Sequence, residues 1–222
     1  MRKILLTVCS IIMAITFVAC SATDAISQTD TVVPSSLEKI PSSTGNIRVD
    51  VVSGDTLYNP KTLEEVEKLS GYIVKGHLQN DAKQKLYTPD AKTVIFGVTV
   101  SSFEITKVYK GNLKEGDKIP VAERYYTLEE NGKTTRYELD YAPSIPGQEY
   151  IFFLNKAPDK NEFMRGFYSP VIKETGRYAV ITPKDSNFSK RELMSANELN
   201  LVKTDPDIYQ KMYQQVIDKY MK

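Results

Sequence analysis

The chain has almost nothing with which to build thiol, imidazole or disulfide chemistry: two cysteines and one histidine in 222 residues. A single histidine, His77, excludes a two-histidine metal site, and a serine–histidine–carboxylate arrangement would have to be built on that one ring. No Gly-rich phosphate loop, HExxH or GxSxG motif occurs. Basic residues gather in nothing longer than a pair such as Lys190-Arg191, so the cationic stripe that phosphate neutralisation requires is missing and nucleic acid is not an expected partner. No metal and no cofactor are expected. The apolar run Ile4 to Val18 is also too short for a comfortable membrane span, because as a helix it would reach about 22 Å of the roughly 30 Å hydrocarbon core.

What is present begins with that run. Arg2 and Lys3 flank it on one side, and Ala19 closes it with the small residue that a signal peptidase needs. Residues 1–19 therefore read as an export signal cleaved after Ala19. Phe17-Val18-Ala19-Cys20 resembles the lipobox of bacterial lipoproteins: Val18 and Ala19 fit it, whereas Phe17 stands where an aliphatic residue, usually Leu, is found. The resemblance implies a diacylglycerol on the Cys20 thiol and a lipid-anchored protein on the extracytoplasmic face of a bacterial membrane. An ordinary signal peptide with an incidental cysteine, or a transmembrane helix, is the alternative reading of the same residues. Residues 20–46 then comprise the lipidated cysteine and a tether rich in Ser and Thr, with Pro34 and Pro41 and no sustained apolar period. As a coil it would reach about 28 Å. An acyl chain contributes about 0.8 kcal/mol per buried methylene and holds a protein at the membrane without spanning it. Loss of Arg2 and Lys3 with the signal lowers the 29 basic groups to 27, against 28 acidic ones. Loss of Cys9 leaves Cys20 alone, so lipidation would leave no disulfide, cysteine–zinc site or thiol nucleophile.

Residues 47–222 are long enough for one domain with its own core. Thr62-Leu-Glu-Glu65 is a capping box, with Leu63, Val66 and Leu69 at helical spacing and Gly71 placed to end a short helix. Tyr72 to Gln79 alternates as a half-buried strand, with His77 on its polar side. Lys92 to Lys110 is too β-branched for a helix, and its apolar parity changes after Val100, which predicts a β-bulge near Ser101-Ser102 and a bend at Gly97. Lys118 to Tyr126 follows after Gly111-Asn112 and Glu115-Gly116-Asp117. Asn131-Gly132 predicts a type I′ hairpin with Glu130 opposite Lys133 and Tyr126 opposite Tyr137. Tyr150 to Leu154 reads as a central strand, and Phe163 to Tyr168 and Arg177 to Thr182 as closing ones. After the Asp205 N-cap and Pro206, the residues Ile208, Met212, Tyr213, Val216, Ile217 and Tyr220 form one face of a helix. The expected fold is mainly β: a small OB-like barrel, closed or partly open, with a short N-terminal helix and a C-terminal amphipathic helix.

The order of Gly71-Tyr-Ile-Val-Lys-Gly76, Phe103-Glu-Ile-Thr-Lys-Val-Tyr-Lys-Gly111, Gly116-Asp-Lys-Ile-Pro-Val121 and Gly147-Gln-Glu-Tyr-Ile-Phe-Phe-Leu154 resembles the netrin-like, metalloproteinase-inhibitor type of OB barrel over about residues 70–182. That resemblance implies the fold. The inhibitors of that type use a free N-terminal cysteine amine and disulfides, which this chain lacks, so inhibition does not carry over. Acidic pairs such as Glu64-Glu65 and Glu129-Glu130 read as a solvated helix side and a turn flank, although a carboxylate pair could assemble from distant residues. Two functions follow: a non-catalytic envelope module that binds a protein, peptide or glycan, or an envelope hydrolase or inhibitor. Tyr125, Tyr126, Tyr137 and Tyr141 around the hairpin are the candidate ligand surface, with cross-strand pairing as their structural alternative.

Overall fold

The computed structural model describes residues 36–41, 47–52, 59–90, 92–180 and 206–222. The expected signal with Ala19, the lipidation site Cys20, most of the tether and the Asp205 N-cap lie outside the described residues. Two short strands, β1 (Glu38–Lys39) and β2 (Arg48–Val51), precede helix α1 (Leu63–Leu69). Strands β3 (Tyr72–Leu78), β4 (Lys83–Tyr87), β5 (Phe96–Lys110), β6 (Lys118–Glu123), β7 (Tyr125–Glu130), β8 (Lys133–Glu138), β9 (Glu149–Lys156), β10 (Tyr168–Pro170) and β11 (Arg177–Ala179) follow, and α2 (Pro206–Tyr220) comes last.

Five strands close a barrel in the order β5-β3-β9-β10-β6, with β6 paired back to β5. The pairs are antiparallel except β6 with β10, which run parallel. This circuit is OB-like, as the pattern of short strands predicts. β4 extends the sheet from β5 and carries β1, so part of the segment expected as tether is itself a strand, with Glu38 opposite Gln84. β7 and β8 form a second sheet with β2 on its edge.

The apolar run of β9 is explained by burial on both sides. Tyr150, Phe152 and Leu154 point into the barrel with Val74, Phe103 and Val121, while Ile151 and Phe153 point outward beneath α2. α2 answers with Tyr209, Met212, Tyr213 and Val216, all at 1% exposure or less, each burial worth about 1.5–3 kcal/mol. Its hydroxyls also anchor it: Tyr209 Oη donates to Arg177 O and Tyr213 Oη to Ala179 O. At α1 the Thr62 hydroxyl accepts from Glu65 N as the capping box predicts, whereas the Glu65 carboxylate reaches Lys61 N. Leu63 and Val66 join the α2 cluster and Leu69 stays exposed. Gly71 does not end the helix by a left-handed turn; its amide is drawn into the barrel, donating to Leu154 O and to Asn155 Oδ1.

Two expectations are corrected. β5 pairs with β6 without interruption from Thr99 to Glu104, so no bulge lies at Ser101-Ser102. The extra residues fall opposite β3, at Thr106 and Tyr109. The parity change has another cause: Thr99, Ser101, Phe103 and Ile105 keep one face throughout, while Val98 and Val100 on the other face are covered by Phe163, Met164 and Phe167. Gly97 is required by close approach, since a Cβ there would come within 2.8 Å of Tyr126 Cγ. The second correction concerns Phe163 to Tyr168. Residues 162–166 are turn, held by Asn161 Oδ1 accepting from Met164 N, and only Tyr168–Pro170 pairs with β9. Asn131 (φ 52°) and Gly132 (φ 71°) make the hairpin turn in the expected register, with Glu130 opposite Lys133 and Tyr126 opposite Tyr137.

Candidate functional site

OB barrels commonly take ligands across the outer face that β5 and β6 form here. That face is already occupied by the chain itself. Phe163, Met164 and Phe167 pack on Val98, Val100 and Ala122, and Lys85 Nζ donates to Phe163 O at 2.8 Å. A cleft of about 620 Å3 opens elsewhere, walled by residues Ala142 to Pro146 of the loop between β8 and β9. Opposite them stand Leu78 and Ser101 of the barrel, Tyr125, Arg136 and Glu138 of the second sheet, and Val49 of β2. Pro143 and Pro146 stiffen the loop, and Ile145 between them is 56% exposed at the rim.

Behind this wall lies a buried polar network. Glu123 occupies the inward parity of β6 after Ile119 and Val121, and Arg177 the inward parity of β11 before Ala179, both at 1% exposure. Glu123 Oε1 accepts from Tyr141 Oη at 2.7 Å and from the hydroxyl and amide of Ser144. Arg177 Nη1 donates to Ala142 O and Ser144 Oγ, both at 2.9 Å, and stands 3.8 Å from Glu123 Oε1. Its guanidinium lies over the rings of Tyr141 and Tyr150, with centroids 4.9 and 5.5 Å away. Burial pushes the Glu123 carboxyl above its usual range, against the pull of Arg177 and of the Ser144 and Tyr141 hydrogen bonds.

A second cluster adjoins it. Lys173 Nζ meets Asp140 Oδ2 at 2.7 Å, both residues buried. Glu174 is 2% exposed, and burial raises its carboxyl from 4.5 to about 7. Asp140, Ile172 and Lys173 all have left-handed backbones, at φ 46°, 47° and 56°. Such positions cost about 1–3 kcal/mol each, and the β-branched Ile172 is the least suited of the three.

Ser144 Oγ donating to Glu123 has the form of a nucleophile on a carboxylate base. The remaining requirement, amides aimed at a developing oxyanion, is not met from Pro143 to Gly147. Ser144 N donates to Glu123, Ile145 N to Tyr150 Oη and Gly147 N to Leu78 O, and Pro143 and Pro146 have no N–H. Among the described residues, no group of three or more His, Cys, Asp or Glu is placed to hold a metal ion. His77 is half-buried on β3, its Nε2 3.8 Å from Glu149 Oε1.

The four tyrosines singled out from the sequence are not a protruding surface. Tyr141 is wholly buried in the network, and Tyr126, at 7% exposure, lies over Gly97 and stacks on half-buried Tyr137 at 5.1 Å. Tyr125 is 9% exposed, and it alone of the four lines the cleft. The reason is that β4 and β5 pack against the hairpin, Thr99 Oγ1 donating to Tyr125 O and Gln84 Oε1 accepting from Thr127 N. Tyr137→Ala should therefore lower stability by about 0.5–1.5 kcal/mol through the lost stack. A thermal melt identical to that of the parent chain would contradict the structural role.

Arg136, Glu138, Ser144 and Ile145 carry the cleft, and sequence patterns had not singled them out. A signal existed for the network: an acid at an inward position of β6 and a cation at an inward position of β11 each need a buried partner. A scan of protein-family models finds none that matches this chain, and a search of curated proteins finds no match either.

Proposed function

We propose that the chain is a lipid-anchored protein of the bacterial envelope, facing away from the cytoplasm, whose barrel domain binds a segment of protein, peptide or glycan without catalysis. The cleft carries this reading. Its volume lies in the range of ligand sites, about 300–1,000 Å3, and its walls are largely apolar through Val49, Leu78, Ala142 and Ile145. Arg136 and Glu138, joined at 2.8 Å, supply one fixed polar pair to orient a ligand. The commitment of the Ser144, Ile145 and Gly147 amides to acceptors within the chain favours binding over acyl transfer. Export and lipidation rest on Ala19 and Cys20.

A photoreactive phenylalanine at Ile145 should cross-link a partner in intact membranes, whereas the same group at Ile95, 58% exposed in the β4–β5 connection and absent from the cleft lining, should not. Equal labelling, or none at Ile145, would remove the cleft from the argument. For the anchor, Cys20→Ser should abolish incorporation of labelled fatty acid and processing after Ala19, and retained labelling would overturn it. A hydrolase is the second reading, favoured by the Ser144–Glu123 contact alone. It predicts turnover of an ester or peptide substrate that Ser144→Ala abolishes.

A further inference from the structure

Among the described residues β2 has one partner, β8, to which it runs parallel. In a parallel ladder alternate residues bond the neighbour through both N–H and C=O, and the residues between turn both groups away. Val52 N donates to Glu138 O at 2.9 Å, in the register that sets Val51 opposite Glu138. Arg48, Asp50 and Val52 thus face β8, and the backbone of Ile47, Val49 and Val51 faces the open edge. The side chains of those three residues are apolar, share one face and are 44%, 42% and 45% exposed. Natural sheet edges are blunted by brevity, charged side chains, proline or a bulge; β2 has four residues, and its two charges, Arg48 and Asp50, are of opposite sign, so they complement rather than repel the same edge of another copy. Residues 47–52, IRVDVV, contain neither lysine nor proline, and the register with β8 is unbroken.

We infer that this edge pairs with the same edge of a second copy of the chain, antiparallel about Val49, joining two three-stranded sheets into one. Two independent conditions select that register. The first is the backbone: the residues that exchange hydrogen bonds across an antiparallel pair must both face outward. Centred on Val49, the pairs are Val49 with Val49 and Ile47 with Val51. The second is charge. The same register sets Arg48 of each copy opposite Asp50 of the other, in the positions where side chains approach most closely. Within one copy Arg48 Nε already lies 2.8 Å from Asp50 Oδ1, so the four charges would alternate in sign. Moving the centre to Ile47 or Val51 sets Arg48 against Asn46 or Asp50 against Val52, and both ion pairs are lost.

Opposed residues in an antiparallel pair share a face. The two clefts, each with Val49 in one wall, would therefore open on the same side of the joined sheet and lie next to each other. A contact made by so few residues falls well below the roughly 1,200 Å2 of a standard interface, so it is weak in dilute solution. Confinement of two anchored copies to one membrane raises their effective concentration, and that step alone rests on the proposed lipid anchor.

Opposed Val49 residues would have Cα atoms about 5.5 Å apart, within disulfide reach. In the full chain in its native membrane, mild oxidation of Val49→Cys should give a covalent dimer that the parent chain does not. Adding either Arg48→Glu or Asp50→Lys sets like charges opposite each other and should lower the yield by about tenfold. Co-expression of the two charge variants under different tags should restore it as a heterodimer, since each then offers what the other lacks. The side chain of Arg48 is 74% exposed and that of Asp50 32%, and protease resistance of the domain reports that the variants fold. A Val49→Cys chain that stays monomeric, that cross-links to a different protein, or that gives equal yields with and without the charge changes overturns the proposal. If the chain proves unanchored, the same series on full chain concentrated in detergent solution must still give the same order of yields.

Discussion

Arg177→Leu is expected to destabilise the domain by about 3–5 kcal/mol, the range found when one partner of a buried ion pair is removed. The guanidinium is the donor to Ala142 O and Ser144 Oγ and the cation nearest to Glu123 Oε1 in the network. Leucine fills part of the space between the Tyr141 and Tyr150 rings but leaves a carboxyl in the core without a cation. Burial already raises the Glu123 carboxyl, with Arg177 its main opposition. In the variant it rises further, and a carboxyl whose folded pKa is raised loses stability as pH increases from the unfolded value, about 4.3. The loss should accordingly be greatest near neutral pH and shrink as pH falls below about 4, where Glu123 becomes protonated folded and unfolded alike. Adding Glu123→Gln should recover a sizeable part at neutral pH, which urea midpoints at constant m-value can read. A loss below about 1 kcal/mol, or one fully additive with Glu123→Gln, would show that the two groups do not act as a unit.

The hairpin was legible in the sequence because its turn chemistry is local: only Asn131 and Gly132 need positive φ, and the pairing outward from them is forced. Barrel and helix were legible through periodicity, since Tyr150–Leu154 and the α2 face carry their burial in their spacing. Periodicity misled where a distant segment supplied the cover. Val98 and Val100 look like a parity slip until Phe163 and Phe167, more than sixty positions on, are laid over them. The burial of the hairpin tyrosines was illegible for the same reason, as residues of β4 and β5 far away in sequence cover Tyr125 and Tyr126. Glu123 and Arg177 sit on inward parities, so their burial could be foreseen one at a time. Their meeting through Ser144 depends on closure of the barrel, which no local pattern encodes.

Glu174→Gln is expected to stabilise the domain at pH 8 by up to about 3 kcal/mol and to change little at pH 4. Among the described residues no other residue donates a hydrogen bond to either carboxylate oxygen of Glu174, although Glu174 is almost completely buried. Burial is the main cause that raises its pKa from 4.5 to about 7; the Asp140 charge adds to it, and its own backbone N–H, Arg177 and Lys173 oppose it. The folded chain therefore holds a proton that the unfolded chain releases over that interval. Stability contributed by the protonated form is complete below about pH 4.5 and is lost as pH rises towards 7, after which both states are ionised and the penalty stays constant. A shift of that size corresponds to about 3 kcal/mol. Glutamine has nearly the same shape and never ionises, so the variant should lack this part of the slope. Glu123, also raised by burial, gives the parent chain a slope of the same sign. The difference between the two pH profiles, measured by denaturant unfolding from pH 4 to pH 8, isolates Glu174 from it. A stabilisation that is the same at every pH would mean that glutamine acts through packing beside the left-handed Ile172 and Lys173, and that Glu174 folds without a raised pKa.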